Sequence, residues 1–252
     1  MILQYCSDLH LEFPQNKLYI ENNPLQPKGD ILILAGDIVP FSQVDRQKEF
    51  FDYVSNNFAT TYWIPGNHEY YHFDLLLKSG RLEEKIRANI FLVNNITIER
   101  EEVRLIFSTL WSRISLFNAW RIERSMNDFR VIQHGNELFN TAHYNKIHDE
   151  CLQFIQSELT EKSIKKTIVV THHVPTLQHY PPEYLGGILN EAFAVDLDKL
   201  ILDSEPDYWI FGHHHRNAGD FNIGKTQMLT NQLGYVQYQE NEGFNNDRCI
   251  YI

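Results

Sequence analysis

The sequence predicts a layered α/β fold with its helices outside a core of strands. Two observations carry this. Short, mostly apolar runs recur along the chain, each of a length that suits a strand covered on both faces, and helical patterns lie between several of them. Five of these runs end abruptly in Asp, Asn or His. In open α/β sheets the carboxyl ends of the strands form the ligand crevice, so polar residues gathered there are expected.

In chain order, strands are expected over residues 2–6, 31–35, 61–64, 103–108, 167–171 and 208–211. Helical patterns cover residues 43–57, 74–88, 140–159 and 196–202. Asn94-Asn95, between the apolar runs 91–93 and 96–98, reads as a hairpin turn. Further short strands are expected near residues 226–230 and 248–252. No linker rich in Pro, Gly or Ser divides the chain, so residues 1–252 read as a single domain. Two segments read as insertions that cap the strand ends. One is 111–137, polar and aromatic with poor periodicity; the other is 174–190, with Pro181-Pro182 and Gly186-Gly187.

Charge and cysteine usage narrow the function classes. The net charge of −11 makes the chain a poor electrostatic partner for long nucleic acid or anionic lipid. Its densest basic stretch, Lys162, Lys165 and Lys166, is too short for a duplex footprint. No apolar run approaches the ~20 residues of a membrane span. Cys6, Cys151 and Cys249 lie far apart and form no Cys-x-x-Cys pair, which suits reduced, buried thiols in a cytoplasmic protein. The first lysine is Lys17, so no basic segment precedes the first apolar residues, against a signal peptide.

The chemistry lies at the strand ends. They read Ser7-Asp8-Leu9-His10, Gly36-Asp37, Pro65-Gly66-Asn67-His68-Glu69, Thr171-His172-His173 and Gly212-His213-His214-His215. Taken singly each is weak: Asp-x-His is common, Gly-Asp is usually a turn, and a histidine run can be a solvated loop. Together, in order and each after an apolar run, they point to one site. Asp8, His10, Asp37, Asn67, His172, His213 and His215 supply seven nitrogen and oxygen donors and no thiolate. Residues two apart at an extended strand end face the same way, which pairs Asp8 with His10 and His213 with His215. Seven donors exceed one tetrahedral ion and suit two ions sharing a carboxylate.

These five blocks resemble the calcineurin-like metallophosphoesterases, and the resemblance runs from Asp8 to His215. It implies a four-layer α/β/β/α sandwich of two mixed sheets flanked by helices, with the metal site at the carboxyl ends of strands. It also implies one ion held by Asp8, His10, Asp37 and His215, and another by Asp37, Asn67, His172 and His213, with Asp37 bridging. A hydroxide between the ions would attack phosphorus, and His68 would serve as general acid or as a donor to the phosphoryl oxygen. His173 remains the alternative to His172 as ligand, because a loop can present either ring. His173 and His214 are otherwise expected behind the ligands or facing solvent, and Glu69 to orient His68 or, preferably, to hold structure. His72, His134, His143, His148 and His179 have no ligand spacing. The donor set suits Mn, Fe, Zn, Co or Ni rather than Mg alone.

Asp37 is followed by Ile38-Val39-Pro40-Phe41, not by the Val-Asp-Arg-Gly of the superfamily's protein phosphatases. Neither an added DNA-binding region nor basic, apolar surface helices are visible. What remains is a hydrolase acting on a phosphomonoester or phosphodiester of a small phosphorylated molecule. The alternatives are a nuclease on the same centre and a catalytically silent metal-binding scaffold. The segment 111–137 carries Arg113, Arg121, Arg124 and Arg130 with Trp111 and Trp120, residues able to grip phosphate or stack on a base. Arg113 and Asn127 are the candidate substrate-binding residues.

Overall fold

The computed structural model describes residues 1–161 and 165–252. Lys162 of the basic stretch therefore lies outside the described residues. The chain runs β1 (Ile2–Cys6), α1 (Pro14–Asn22), β2 (Ile31–Ala35), α2 (Lys48–Asn57), β3 (Thr60–Ile64), β4 (Leu82–Arg87), β5 (Ile90–Asn94), β6 (Ile96–Arg100) and β7 (Val103–Ser108). It continues with α3 (Ala119–Ser125), α4 (Asp128–Val131), a small hairpin of β8 (Gln133–His134) and β9 (Glu137–Leu138), and α5 (Thr141–Thr160). Then follow β10 (Lys166–Thr171), α6 (Asp198–Ser204), β11 (Tyr208–Ile210), β12 (Phe221–Ile223), β13 (Thr226–Leu229) and β14 (Cys249–Tyr251).

Two six-stranded mixed sheets form the core, in the orders β14-β1-β2-β3-β5-β4 and β12-β13-β11-β10-β7-β6. The period-two alternation of their side chains explains the layering. On β2, Ile31, Ile33 and Ala35 join Leu105 and Phe107 of β7 and Ile168 and Val170 of β10 in one cluster between the sheets. Leu32 and Leu34 face the other way and pack with Ile20 of α1 and Phe51 and Val54 of α2. Val169 and Trp209 of the second sheet turn outward onto Ile155 of α5 and Ile201 of α6. Each central strand is thus apolar on both faces, and three stacked cores give four layers.

Two expectations fail here. Residues 74–88 are not helical. A short turn of 3-10 helix (Leu75–Leu77) is followed by Gly80 at φ +69° and by β4, antiparallel to β5 at the sheet edge. Glu83 and Lys85 point to solvent while Leu82, Glu84 and Ile86 are half-buried. Pairing on the edge overrides the local helix preference of Leu-Glu-Glu-Lys. Asn94-Asn95 is not a hairpin turn either, because β5 lies in the first sheet and β6 in the second. Asn95 takes φ +46°, and its side chain accepts from Ser108 Oγ at 2.7 Å. The Asn94 side chain accepts from the Thr109 N–H at 2.8 Å. The pair is a crossover between sheets.

Smaller differences are local. The first turns of the pattern 43–57 are 3-10 (Phe41–Gln47) before α2 begins, and α5 starts where the Asn140 side chain accepts from the Ala142 and His143 N–H groups. Cys6 and Cys151 are buried as expected, Cys249 is only half-buried, and all three are free thiols. Among the described residues no helix is long and apolar enough to cross a membrane. Just beyond the segment 174–190, the Glu191 carboxylate accepts from the Ser115 N–H and the Asn118 side chain of the segment 111–137, both at 2.7 Å.

Candidate metal centre

Five parallel strands deliver the site. Asp8 and His10 follow β1, Asp37 follows β2, Asn67 and His68 follow β3, His172 follows β10, and His213 and His215 follow β11. The pairs Asp8/His10 and His213/His215 converge, though not through strand alternation. Asp8, His10, Asp37, His213 and His215 all sit at positive φ, from +46° to +80°, so the chain coils left-handed after β1, β2 and β11. Two neighbouring glycines leave the space required. A Cβ on Gly36, itself at φ +90°, would strike the His172 ring, and one on Gly66 would strike Asp37 Oδ1 and reach 2.7 Å from His172 Nε2.

The ligand atoms of Asp8, His10, Asp37 and His215 lie within 4.8 Å of one another, and so do those of Asp37, His172 and His213. Asp37 belongs to both groups. Its Oδ2 is 3.4 Å from His172 Nε2 and 3.8 Å from His10 Nε2. Asp8 Oδ1 is 3.4 Å from His215 Nε2.

The histidine tautomers test whether cations fit. His10 Nδ1 faces Glu12 Oε1 at 3.3 Å, and His215 Nδ1 faces Glu240 Oε2 at 2.7 Å. A carboxylate only accepts, so both Nδ1 atoms carry protons, and the two Nε2 atoms confront each other at 2.9 Å. His172 Nδ1 faces the Ala35 carbonyl at 3.0 Å and His213 Nε2 the Ala192 carbonyl at 3.3 Å, which leaves His172 Nε2 and His213 Nδ1 face to face at 3.1 Å. Each pair thus aims two lone pairs at one point unless a positive charge stands between them.

The electrostatics of the site point the same way. Against the pull of burial, Asp8 and Glu240 carry His215 up to about 10, and Asp37 carries His172 up to about 9. Their partners go the other way: burial and the neighbouring His68 push His10 down, and burial and the neighbouring His173 push His213 down. Within each pair the carboxylates thus favour a positive charge on one ring while the other is kept neutral. Asn67 adds a second sign, because its buried Oδ1 has no partner while its Nδ2 donates to Asp128 Oδ1 at 3.1 Å. Both groups of residues fit a divalent cation with imidazole and oxygen donors held by carboxylates and carbonyls behind them.

His68 lies beside the centre and is buried. Its N–H donates to Asp37 Oδ1 at 2.9 Å, its Nδ1 faces Glu12 Oε1 at 2.9 Å, and its Nε2 is 3.2 Å from Tyr235 Oη. Glu69 does not touch the His68 ring. Its carboxylate accepts from the N–H groups of Asp37 (2.9 Å), Ile38 (2.7 Å) and Gly66 (2.7 Å) and from the Trp63 indole (3.1 Å), tying the loops after β2 and β3 together. Burial and the Asp37 charge push Glu69 up to about 8, while those N–H donors favour its ionised form. His173 and His214 do not face solvent. Both are buried: His173 is stacked on Trp111 with neither ring nitrogen partnered, and His214 is held by the Gln232 side chain. His172, not His173, points at Asp37.

Asn127 lines a cleft of about 510 Å³ in front of the centre, together with Asn67, His68, Asp128, His213 and His215. Arg113 does not line it. It is exposed and paired with Asp149 on α5, facing away. Sequence reasoning missed Glu12, Asp128, Tyr235 and Glu240. Glu12 stands two residues beyond His10, where the alternation that picked out Asp8 and His10 could have found it. Burial alone would raise its pKa, yet His10 and His68 hold it down at about 2. Tyr235 and Glu240 lie beyond the last block, in a stretch with no period to mark them.

The sequence profile of the calcineurin-like phosphoesterases matches residues 5–217. An uncharacterized protein, L509 of Acanthamoeba polyphaga mimivirus, is 34% identical over 270 residues, covering 95% of this chain and 93% of that one. Among solved structures, the phosphopantetheinyl hydrolase PptH of Mycobacterium tuberculosis superposes with a TM-score of 0.72 over 98% of this chain and 95% of that chain. At 16% identity that likeness speaks for the fold alone. The chain belongs to the calcineurin-like phosphoesterase family, a family of dimetal enzymes, and is a metal-dependent phosphoric ester hydrolase.

Proposed function

We propose that the chain, as a single domain capped by about 111–137 and 174–190, hydrolyses a phosphomonoester or phosphodiester of a small phosphorylated molecule. Asp8, His10, Asp37 and His215 would hold one ion, and Asp37, Asn67, His172 and His213 the other. The observation that carries this reading is the convergence of paired histidine lone pairs on the shared Asp37 carboxylate. Two such ions supply activation of water and neutralisation of phosphoryl charge. The donor set favours Mn, Fe, Zn, Co or Ni. Three free thiols are consistent with a cytoplasmic setting.

The chain's own residues do the rest. Glu12 fixes the His68 ring with Nδ1–H turned to the carboxylate, so Nε2 faces the cleft beside Tyr235 Oη. From there His68 is placed to deliver a proton to the departing oxygen, and Glu12 stabilises the charged ring before transfer. Asp128 orients the Asn67 amide by accepting from its Nδ2, which leaves Oδ1 free as a ligand atom.

Elemental analysis after Mn saturation tests the centre. Two ions per chain are expected, with Asp37→Asn losing more metal than His10→Ala, because Asp37 belongs to both groups. One ion or none in the wild type removes the dinuclear reading. A parallel panel of a chromogenic phosphodiester, a phosphomonoester, cyclic nucleotides and single-stranded DNA, each with Mn, separates small-molecule hydrolysis from a nuclease and from a silent scaffold.

A further inference from the structure

The cleft in front of the centre is short of cations. Among the described residues that line it none is Lys or Arg, whereas Asp37, Asp128, Glu183 and Glu240 all border it. The arginines nearby already have partners, and Arg216 holds one of the bordering carboxylates. Arg216 pairs through Nε with Glu183 at 3.2 Å, Arg124 lies over the Trp120 ring at 4.9 Å, and Arg130 donates to the Arg124 carbonyl. Part of the cleft wall is aromatic and aliphatic, built by Tyr180, Tyr184, Ile188, Leu189 and Phe193. Ile188 and Leu189 remain 39% and 38% exposed, so apolar area is available for a ligand to cover.

We propose that this cleft selects phosphoesters whose only anionic group is the phosphoryl group at the metal centre. Their remainder is uncharged and lies on the wall from Tyr180 to Phe193. Molecules carrying a second phosphate or a carboxylate are turned away. This rests on the reading above that the phosphoryl group binds at the Asp37 cluster. The phosphoryl group takes up the positive charge of the centre, and a second anion entering the cleft then meets carboxylates and no unpaired guanidinium or ammonium, since Arg216 is already held by Glu183. It loses its hydration without gaining a charged donor. An apolar arm loses nothing there and covers Ile188 and Leu189. Nucleoside polyphosphates and sugar bisphosphates are thereby disfavoured, and esters with an alkyl, aryl or neutral amide arm are favoured.

The test is a matched pair of diesters, butyl p-nitrophenyl phosphate and carboxypropyl p-nitrophenyl phosphate. They share phosphorus, leaving group and arm length and differ only in the end charge. With the Mn-loaded wild-type enzyme the butyl ester should have a kcat/KM about tenfold higher, the size of one charge–charge term at roughly 10 Å in a partly screened cleft. Glu183→Lys, which reverses one wall charge and frees the Arg216 guanidinium, should shrink the ratio to about threefold or less. Equal values for the two esters in the wild type, or an E183K ratio as large as that of the wild type, overturns the selectivity while leaving the phosphoesterase reading intact. No turnover of either ester or of p-nitrophenyl phosphate overturns the placement of the phosphoryl site, and this inference with it; turnover of p-nitrophenyl phosphate alone overturns the selectivity for a neutral arm and leaves the phosphoryl site in place.

Discussion

Glu69 offers a direct test of how the site is held. Four N–H donors from three separate places, the loop after β2, the loop after β3 and the Trp63 ring, converge on its two oxygens in a spot with no solvent access. Glu69→Ala removes every one of those acceptors. A buried donor left without a partner costs about 1–3 kcal/mol. Water entering the vacated space recovers part of this, so a net loss of about 3–5 kcal/mol is expected. In a chain of this size each kcal/mol shifts Tm by about 2–4 °C, so the midpoint should drop by roughly 10 °C. The measurement is thermal unfolding of the EDTA-stripped protein, which keeps metal binding from contributing to the midpoint. Glu69→Gln sharpens it: whichever way the amide turns, its NH₂ faces two donors, so at least half the loss should remain. If Glu69→Ala unfolds within about 2 °C of wild type, the carboxylate does not tie the two loops, and the account of how Asp37 and Asn67 are positioned fails.

Two further outcomes are expected. His214→Ala should keep metal and most activity, because its ring is turned to Gln232, whereas His215→Ala should lose both, as its Nε2 faces Asp8 and His10; metal content and kcat of the two variants decide it. His68→Ala should keep both ions, yet kcat should fall by roughly 10²-fold or more with an alkoxide leaving group and less with a nitrophenolate, which needs little protonation; equal losses for both would assign His68 to stabilising the phosphoryl oxygens instead.

The strand core was legible because strands covered on both faces read as apolar runs: β2 (Ile31–Ala35) follows that rule residue by residue, and β7 (Val103–Ser108) departs from it only at Arg104 and Ser108, which are buried with the rest. The site was legible because the donors stand at the ends of those runs. Residues 74–88 misled because the segment has the composition of a helix, and only its pairing with β5 makes it a strand. Asn94-Asn95 misled because a turn and a crossover have the same local chemistry and differ only in which sheet receives the next strand. Tyr235 and Glu240 were invisible for a further reason. They reach the centre through a tertiary path: Gln232 bridges to Ser7 at the end of β1 and its side chain accepts from the His215 N–H at 2.8 Å, which brings the tail alongside His68.

The backbone separates two roles within the same motifs. Gly36 and Gly66 are glycine because a Cβ would collide with His172 or Asp37. Asp8, His10, Asp37, His213 and His215 take left-handed backbone angles that glycine would adopt at no steric cost, yet they carry side chains. At about 1–3 kcal/mol each, five such residues cost an amount comparable to the net stability of a whole domain. Nothing in core packing asks for that. It persists because the ends of rigid parallel strands and buried side-chain ties leave no easier conformation. Glu69 supplies four such ties, and Asn16 donates to the carbonyls of Leu9 at 3.0 Å and Gly234 at 2.7 Å. With their lone pairs also set against one another, these positions are arranged for a positive guest rather than for the fold. Strain and unmet donor capacity coincide at the Asp37 cluster, so the same residues that weaken the metal-free chain are those proposed to hold the ions.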